Sequence, residues 1–111
     1  MTAATELTNK LLIELPKRFE GRYFRLNVSA IQAGNRFFRS APPGMSDIIG
    51  ITRVKGQGIF TAIEVKIGRD KLREEQNNFR NMVLKHNGIF IIARDLNQAL
   101  SDLAAEVEAR S

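Results

Sequence analysis

Residues 58–68, Gly-Ile-Phe-Thr-Ala-Ile-Glu-Val-Lys-Ile-Gly, constrain this chain more than any other stretch. An apolar, β-branched run with a glycine at each end has the pattern of a buried strand. Side chains two apart on a strand share a face, so Ile59, Thr61, Ile63, Val65 and Ile67 form one side, while Glu64 and Lys66 stand together on the other. Burying charge is costly unless the charge is paired or bound to a metal. Two solutions are open: an ion pair solvated where the strand runs out into water, or a site that uses both groups.

The chain has 111 residues, 43% hydrophobic and 26% charged, which predicts one globular domain over residues 1–111. No apolar run approaches the roughly 20 residues that span a bilayer. The N-terminus lacks the basic and apolar regions of a signal peptide, which fits a cytosolic protein. With no cysteine and a single histidine, His86, a structural zinc site within one chain is nearly excluded; any metal would be a hard cation on oxygen ligands. Lys and Arg outnumber Asp and Glu by 17 to 12, giving +5 and a pI near 10.1, so a polyanionic partner is expected. Arg22, Arg25, Arg36 and Arg39 fall in a stretch free of acids.

Leu7, Leu11, Leu12 and Leu15 recur at helical spacing and predict a helix from about residue 3 to 15, ended or kinked by Pro16. Residues 23–29 alternate as a strand, and a long basic connection follows over about 30–45. Residues 47–54 predict a second strand, joined by Lys55-Gly56-Gln57-Gly58 to the 58–68 strand as an antiparallel hairpin. Counting outward from that turn sets Asp47 within a couple of residues of Glu64 and Lys66. Asp70 is placed to cap a helix running to about Asn87, with Gly88 after it. Gln76 lies inside that helix's apolar stripe of Leu72, Phe79, Met82 and Val83, either reaching out to solvent or aimed at something polar on the sheet. Residues 89–93 predict a short central strand. Asp95 and Gln98 form a capping box for a last helix. The order α-β-β-β-α-β-α calls for a mixed sheet, because a helix between the third and fourth strands permits a parallel crossover.

Asp47, Glu64, Lys66 and Gln76 thus converge. Two carboxylates from adjacent strands suit Mg²⁺ or Mn²⁺, with the Val65 carbonyl as a further ligand. A lysine beside such a cation orients a water or offsets charge on a phosphate. Arg69, Lys71 and Arg73 crowd the start of the Gln76 helix, whose dipole also favours anions. Each of these basic groups reads either as a phosphate contact or as a solvated side chain.

The ordered set Gly44-Met45-Ser46-Asp47, Glu64-Val65-Lys66 and Gln76 resembles the PD-(D/E)XK nuclease pattern, with Ser46 in place of the proline. More closely the chain resembles a stand-alone VRR-NUC domain, the virus-type replication-repair nuclease. The resemblance implies an α/β, restriction-endonuclease-like αβββαβ core with a mixed central sheet flanked by helices and a C-terminal helix. It implies a Mg²⁺- or Mn²⁺-dependent DNA endonuclease, acting as a homodimer on Holliday junctions or other branched DNA, in the cytoplasm of a bacterium or phage-infected cell. By that likeness Asp47 and Glu64 hold metal, Lys66 serves the nucleophilic water and Gln76 holds the site geometry. A first-helix glutamate would complete the set; Glu6 matches the spacing better than Glu14. Arg25, Arg36, Arg39, Arg69, Lys71 and Arg73 are the expected DNA contacts. The alternative is a nucleic-acid-binding module on the same fold without catalysis, or a structural domain whose charges are incidental.

Overall fold

In a computed structural model, residues 1–26 and 44–111 are described with their side chains, and 30–33 and 36–39 as backbone. The elements run α1 (Ala3–Arg18), β1 (Gly21–Arg25), β2 (Ala30–Ala33), β3 (Arg36–Arg39), β4 (Ile48–Val54), β5 (Gln57–Val65), α2 (Glu74–Lys85), β6 (Ile89–Ala93) and α3 (Leu96–Arg110). A four-stranded sheet has the order β1-β4-β5-β6. The β4–β5 and β1–β4 pairs are antiparallel and β5–β6 is parallel, so the sheet is mixed as its sequence requires.

Period-two alternation decides which side chains go where. Ile48, Ile63, Val65, Ile89 and Ile91 point to one face, where Leu7, Leu11 and Leu15 of α1 and Leu100 and Leu103 of α3 bury them. Ala62 and Phe90 point to the other face and are covered by Phe79 and Val83 of α2. Within the first face a chain of hydroxyls is also buried: Tyr23 Oη lies 2.9 Å from Thr52 Oγ1, which lies 2.7 Å from Thr61 Oγ1. Thr61 Oγ1 in turn donates to the Ile59 carbonyl at 3.1 Å.

Four local expectations change. Pro16 does not end α1, which continues to Arg18. The long connection is not bare loop but contains the antiparallel β2–β3 ribbon. Strand β6 is an edge strand; its residues are buried because α2 and α3 cover its two faces. Two carbonyls near the ends of β6 are also taken by α3 side chains, Gln98 Nε2 donating to Ile92 O and Arg110 Nη2 to Gly88 O. Finally, Asp70 does not cap α2, whose N-cap position is Arg73. The capping box at Asp95 and Gln98 forms as its spacing predicts.

Candidate active site

The open end of the β4–β5 hairpin carries the site. Ile48 pairs with Ile63, so Asp47, one residue outside the ladder, stands opposite Glu64. Both side chains lie on the α2 face, because they share parity with Ile49 and Ala62. Asp47 is held by one oxygen: Oδ2 accepts the Val65 N–H at 2.8 Å. Glu64 is held by one oxygen as well, with Oε1 accepting from Gln76 Nε2 at 3.2 Å. Glu64 is only 4% exposed, and its Oε2 is buried without any hydrogen-bond partner. Burial first, and then the neighbouring Asp47 carboxylate, through its charge and through a hydrogen bond that a protonated Glu64 makes to it, push the Glu64 carboxyl up to about 8, against the opposing pull of Lys66 and Arg73. Two carboxylates so placed do not both ionise comfortably without a cation between them.

Gln76 is the hinge of this arrangement. Its Oε1 accepts the Arg73 N–H at 2.9 Å and so caps the first turn of α2, while its Nε2 reaches Glu64. The glutamine on an apolar stripe is therefore aimed at the sheet and is buried at 4% exposure. Gly44 explains how α2 comes so close. It has φ +83°, and a Cβ there would lie 2.2 Å from the Glu75 carbonyl oxygen. Only a glycine lets the segment leading to Asp47 press against the first turn of the helix that carries Gln76.

A cleft of ≈ 490 Å³ opens over these groups. Asp47, Glu64, Val65, Lys66 and Gln76 line its floor and wall. Arg25 lines one side, its Nη1 donating to Asn9 Oδ1 at 3.3 Å; Lys71 and Arg73 line another. Arg69 is exposed and does not line the cleft. Arg36 and Arg39 lie on β3, and their side chains fall outside the described residues. His86 sits at the C-terminal end of α2, where its Nδ1 lies 2.8 Å from the Met82 carbonyl.

Glu6 is not brought to this cleft, contrary to expectation. It is exposed and lines a separate hollow with Lys10, Ile67 and Arg94. The α1 residues that line the cleft are Ala4, Thr5 and Thr8. The reason is rotational: Leu7, Leu11 and Leu15 pack on the sheet, which turns Glu6 to one flank of the helix and Thr5 and Thr8 to the other. Glu14 pairs with Lys17 at 3.6 Å and Arg18 at 3.9 Å and also lies away from the site. Among the described residues, no three Asp, Glu, His or Cys side chains converge. Thr5 and Thr8 line the cleft without any signal in the sequence, and Asp70 lines it although its position reads only as a helix cap; only a neighbouring element tells which flank of a helix faces a site.

A sequence model of the VRR-NUC domain family matches residues 8–95. The chain belongs to the VRR-NUC family. No curated protein and no solved structure matches it. Membership makes this a nuclease domain acting on DNA, with the mixed sheet and flanking helices of the restriction-endonuclease-like core. The match of the VRR-NUC domain begins at Thr8, so Glu6 lies outside it, while Asp47, Glu64, Lys66 and Gln76 lie within. No described helix is long and apolar enough to cross a membrane.

Proposed function

We propose that this VRR-NUC domain is a Mg²⁺- or Mn²⁺-dependent endodeoxyribonuclease that hydrolyses phosphodiester bonds in branched DNA, Holliday junctions among them, as a homodimer. One observation carries the metal-dependent reading. A glutamate oxygen, Glu64 Oε2, is buried without a partner beside a second carboxylate, under a cleft walled by cations. A buried unpaired carboxylate oxygen of this kind fits a hard cation, and both carboxylates are already oriented by one oxygen each. Asp47, Glu64 and the Val65 carbonyl would hold it. When bound, such a cation polarises the scissile phosphate and lowers the pKa of water.

The protein's own residues do the rest. The Val65 N–H fixes Asp47, and Gln76 fixes Glu64, so neither carboxylate swings when DNA enters. Lys66 orients the attacking water and offsets the negative charge that grows on the phosphate. Arg25 on one side and Lys71 and Arg73 on the other hold flanking phosphates, and the N-terminal turn of α2 adds its partial positive charge. The cations lining this cleft suit contacts to the phosphate backbone, as selection by DNA shape would use. A two-fold dimer would place two such clefts symmetrically on a branched substrate.

Labelled four-way junctions, flaps, splayed arms and duplexes incubated with Mg²⁺ or Mn²⁺ test the reading, alongside a solution mass. Cleavage of the branched substrates that disappears in Lys66→Ala and Glu64→Ala is the expected result. Cleavage that survives both changes would overturn the assignment. Tight junction binding with no cutting in either metal would favour a binding module.

A further inference from the structure

We propose that the cleft takes one divalent cation per chain, with Asp47 and Glu64 as its acidic ligands beside the Val65 carbonyl, because the α1 wall facing it carries no acid. The inference rests on the metal-dependent reading and specifies its stoichiometry. Three walls surround the Asp47–Glu64 pair. The α2 wall supplies Gln76, whose amide donates to Glu64 Oε1. The rim supplies Arg25, Lys66, Lys71 and Arg73, all cationic. The α1 wall supplies Ala4, Thr5 and Thr8.

Neither threonine is free to act as a strong ligand. The buried Thr8 Oγ1 donates to the Ala4 carbonyl at 2.8 Å, and Thr5 Oγ1 accepts from Thr2 Oγ1 at 2.9 Å. The acids of α1 point elsewhere, Glu6 into the neighbouring hollow and Glu14 into its ion pairs. Among the described residues, Asp70 is the one other acid lining the cleft, and it is exposed. Two ionised carboxylates balance one dication. A second would sit beside four protein cations with no further anionic ligand converging on it, whereas two-metal centres hold their ions about 3.5–4 Å apart between shared acids. The unpartnered Glu64 Oε2 marks where the single ion binds. Lys66 then carries the part of charge stabilisation that a second ion would otherwise supply.

Calorimetric titration of the full chain with Mn²⁺ in the absence of DNA, with free Mn²⁺ followed by electron paramagnetic resonance, reads this directly. One ion per chain is expected. Glu64→Gln should weaken binding by more than about a hundredfold. Glu6→Gln and Asp70→Asn should keep the wild-type stoichiometry and affinity. Thr5→Glu, an acid placed at the half-buried position of the α1 wall, should add a second ion or tighten the first by about tenfold or more. Two ions in the wild type would overturn the proposal. So would a Glu6→Gln or Asp70→Asn variant that loses an ion, or a Thr5→Glu variant that changes neither quantity. No Mn²⁺ binding by the wild type would instead remove the metal-dependent reading itself.

Discussion

The β4–β5 hairpin buries two polar clusters, one on each face, and they are finished differently. On the α1–α3 face, Tyr23, Thr52 and Thr61 hand a hydrogen bond from one hydroxyl to the next and end on the Ile59 carbonyl. On the α2 face, Asp47, Glu64 and Gln76 begin the same way, from the Arg73 N–H through the glutamine to Glu64, and then stop with Glu64 Oε2 unpartnered. A closed network of neutral groups adds rigidity at little cost, whereas a buried carboxylate oxygen without a donor is destabilising. The first cluster is therefore a structural seam, and the second retains binding capacity for something from outside the chain.

The comparison breaks most visibly in catalysis. Glu64→Ala or Asp47→Asn should lower cleavage of branched DNA by about a thousandfold or more, since each removes a preorganised charge where the reaction needs one. Thr52→Val, equally buried on the same two strands, should leave cleavage at the wild-type rate when assayed well below the melting temperature. Single-turnover cleavage of a labelled junction measures both. A Thr52→Val enzyme as dead as Glu64→Ala would mean that the two clusters act as one.

Proton linkage gives the next effect. The Glu64 carboxyl is raised by burial and by Asp47 from 4.5 to about 8. Between those values the folded, metal-free protein keeps a proton that the unfolded chain has lost, so folding stability falls as pH rises. The contribution is complete below about pH 4.5 and is lost as pH climbs through about 8. Urea unfolding of the metal-free protein across that window should show a decline of a few kcal/mol, absent in Glu64→Gln. Cation binding requires the ionised carboxylate. Mn²⁺ should therefore release a proton and bind about tenfold more tightly per pH unit below pH 8, which titrations in buffers of different ionisation enthalpy would detect.

The seam and the site were not equally legible in the sequence. Strand arithmetic is rigid: a tight turn and a two-residue period bring Asp47 within a couple of residues of Glu64, and the ladder sets the two opposite each other; the one polar residue in the α2 stripe marks Gln76, and the fold turns it to the sheet. Helix arithmetic is less informative, because a stripe such as Leu7, Leu11 and Leu15 shows which side is buried but not which flank meets a cleft. Glu6 and Thr5 are neighbours in the chain on opposite flanks, and only the position of the hairpin end chooses between them. Asp70 is a good cap in isolation and would start α2 three residues early; Gln76 binding back to Arg73 overrides it. The serial hydroxyls of Tyr23, Thr52 and Thr61 carry no spacing signal, since the three belong to three strands.

Gln76 and Gly44 should give intermediate effects. Gln76→Ala removes a helix cap and the donor to a buried carboxylate together, so a loss of about 1–3 kcal/mol is expected. It should also weaken Mn²⁺ binding about 10–100-fold. Gly44→Ala places a Cβ 2.2 Å from the Glu75 carbonyl oxygen at φ +83° and should cost about 1–3 kcal/mol while separating Asp47 from α2. Chemical denaturation and metal titration on each variant distinguish loss of fold from loss of site. If Gln76→Ala binds metal like the wild type, Glu64 is held by packing alone, and its polar network is no more than a second seam.

The smallest effect tests the seam itself. Tyr23→Phe deletes the outer hydroxyl of the chain and leaves Thr52 still bonded to Thr61, so about 0.5–1.5 kcal/mol is the expected loss. Thr52→Val removes the middle member, strands Tyr23 and leaves Thr61 only its bond to the Ile59 carbonyl, so it should cost more than Tyr23→Phe. The double variant should then cost less than the two losses added, because Tyr23 has nothing left to bond once Thr52 is gone. A double-mutant cycle by thermal unfolding reads the coupling. Additive losses would show that the three hydroxyls are independent contacts, and the contrast with the carboxylate cluster would reduce to its charge alone.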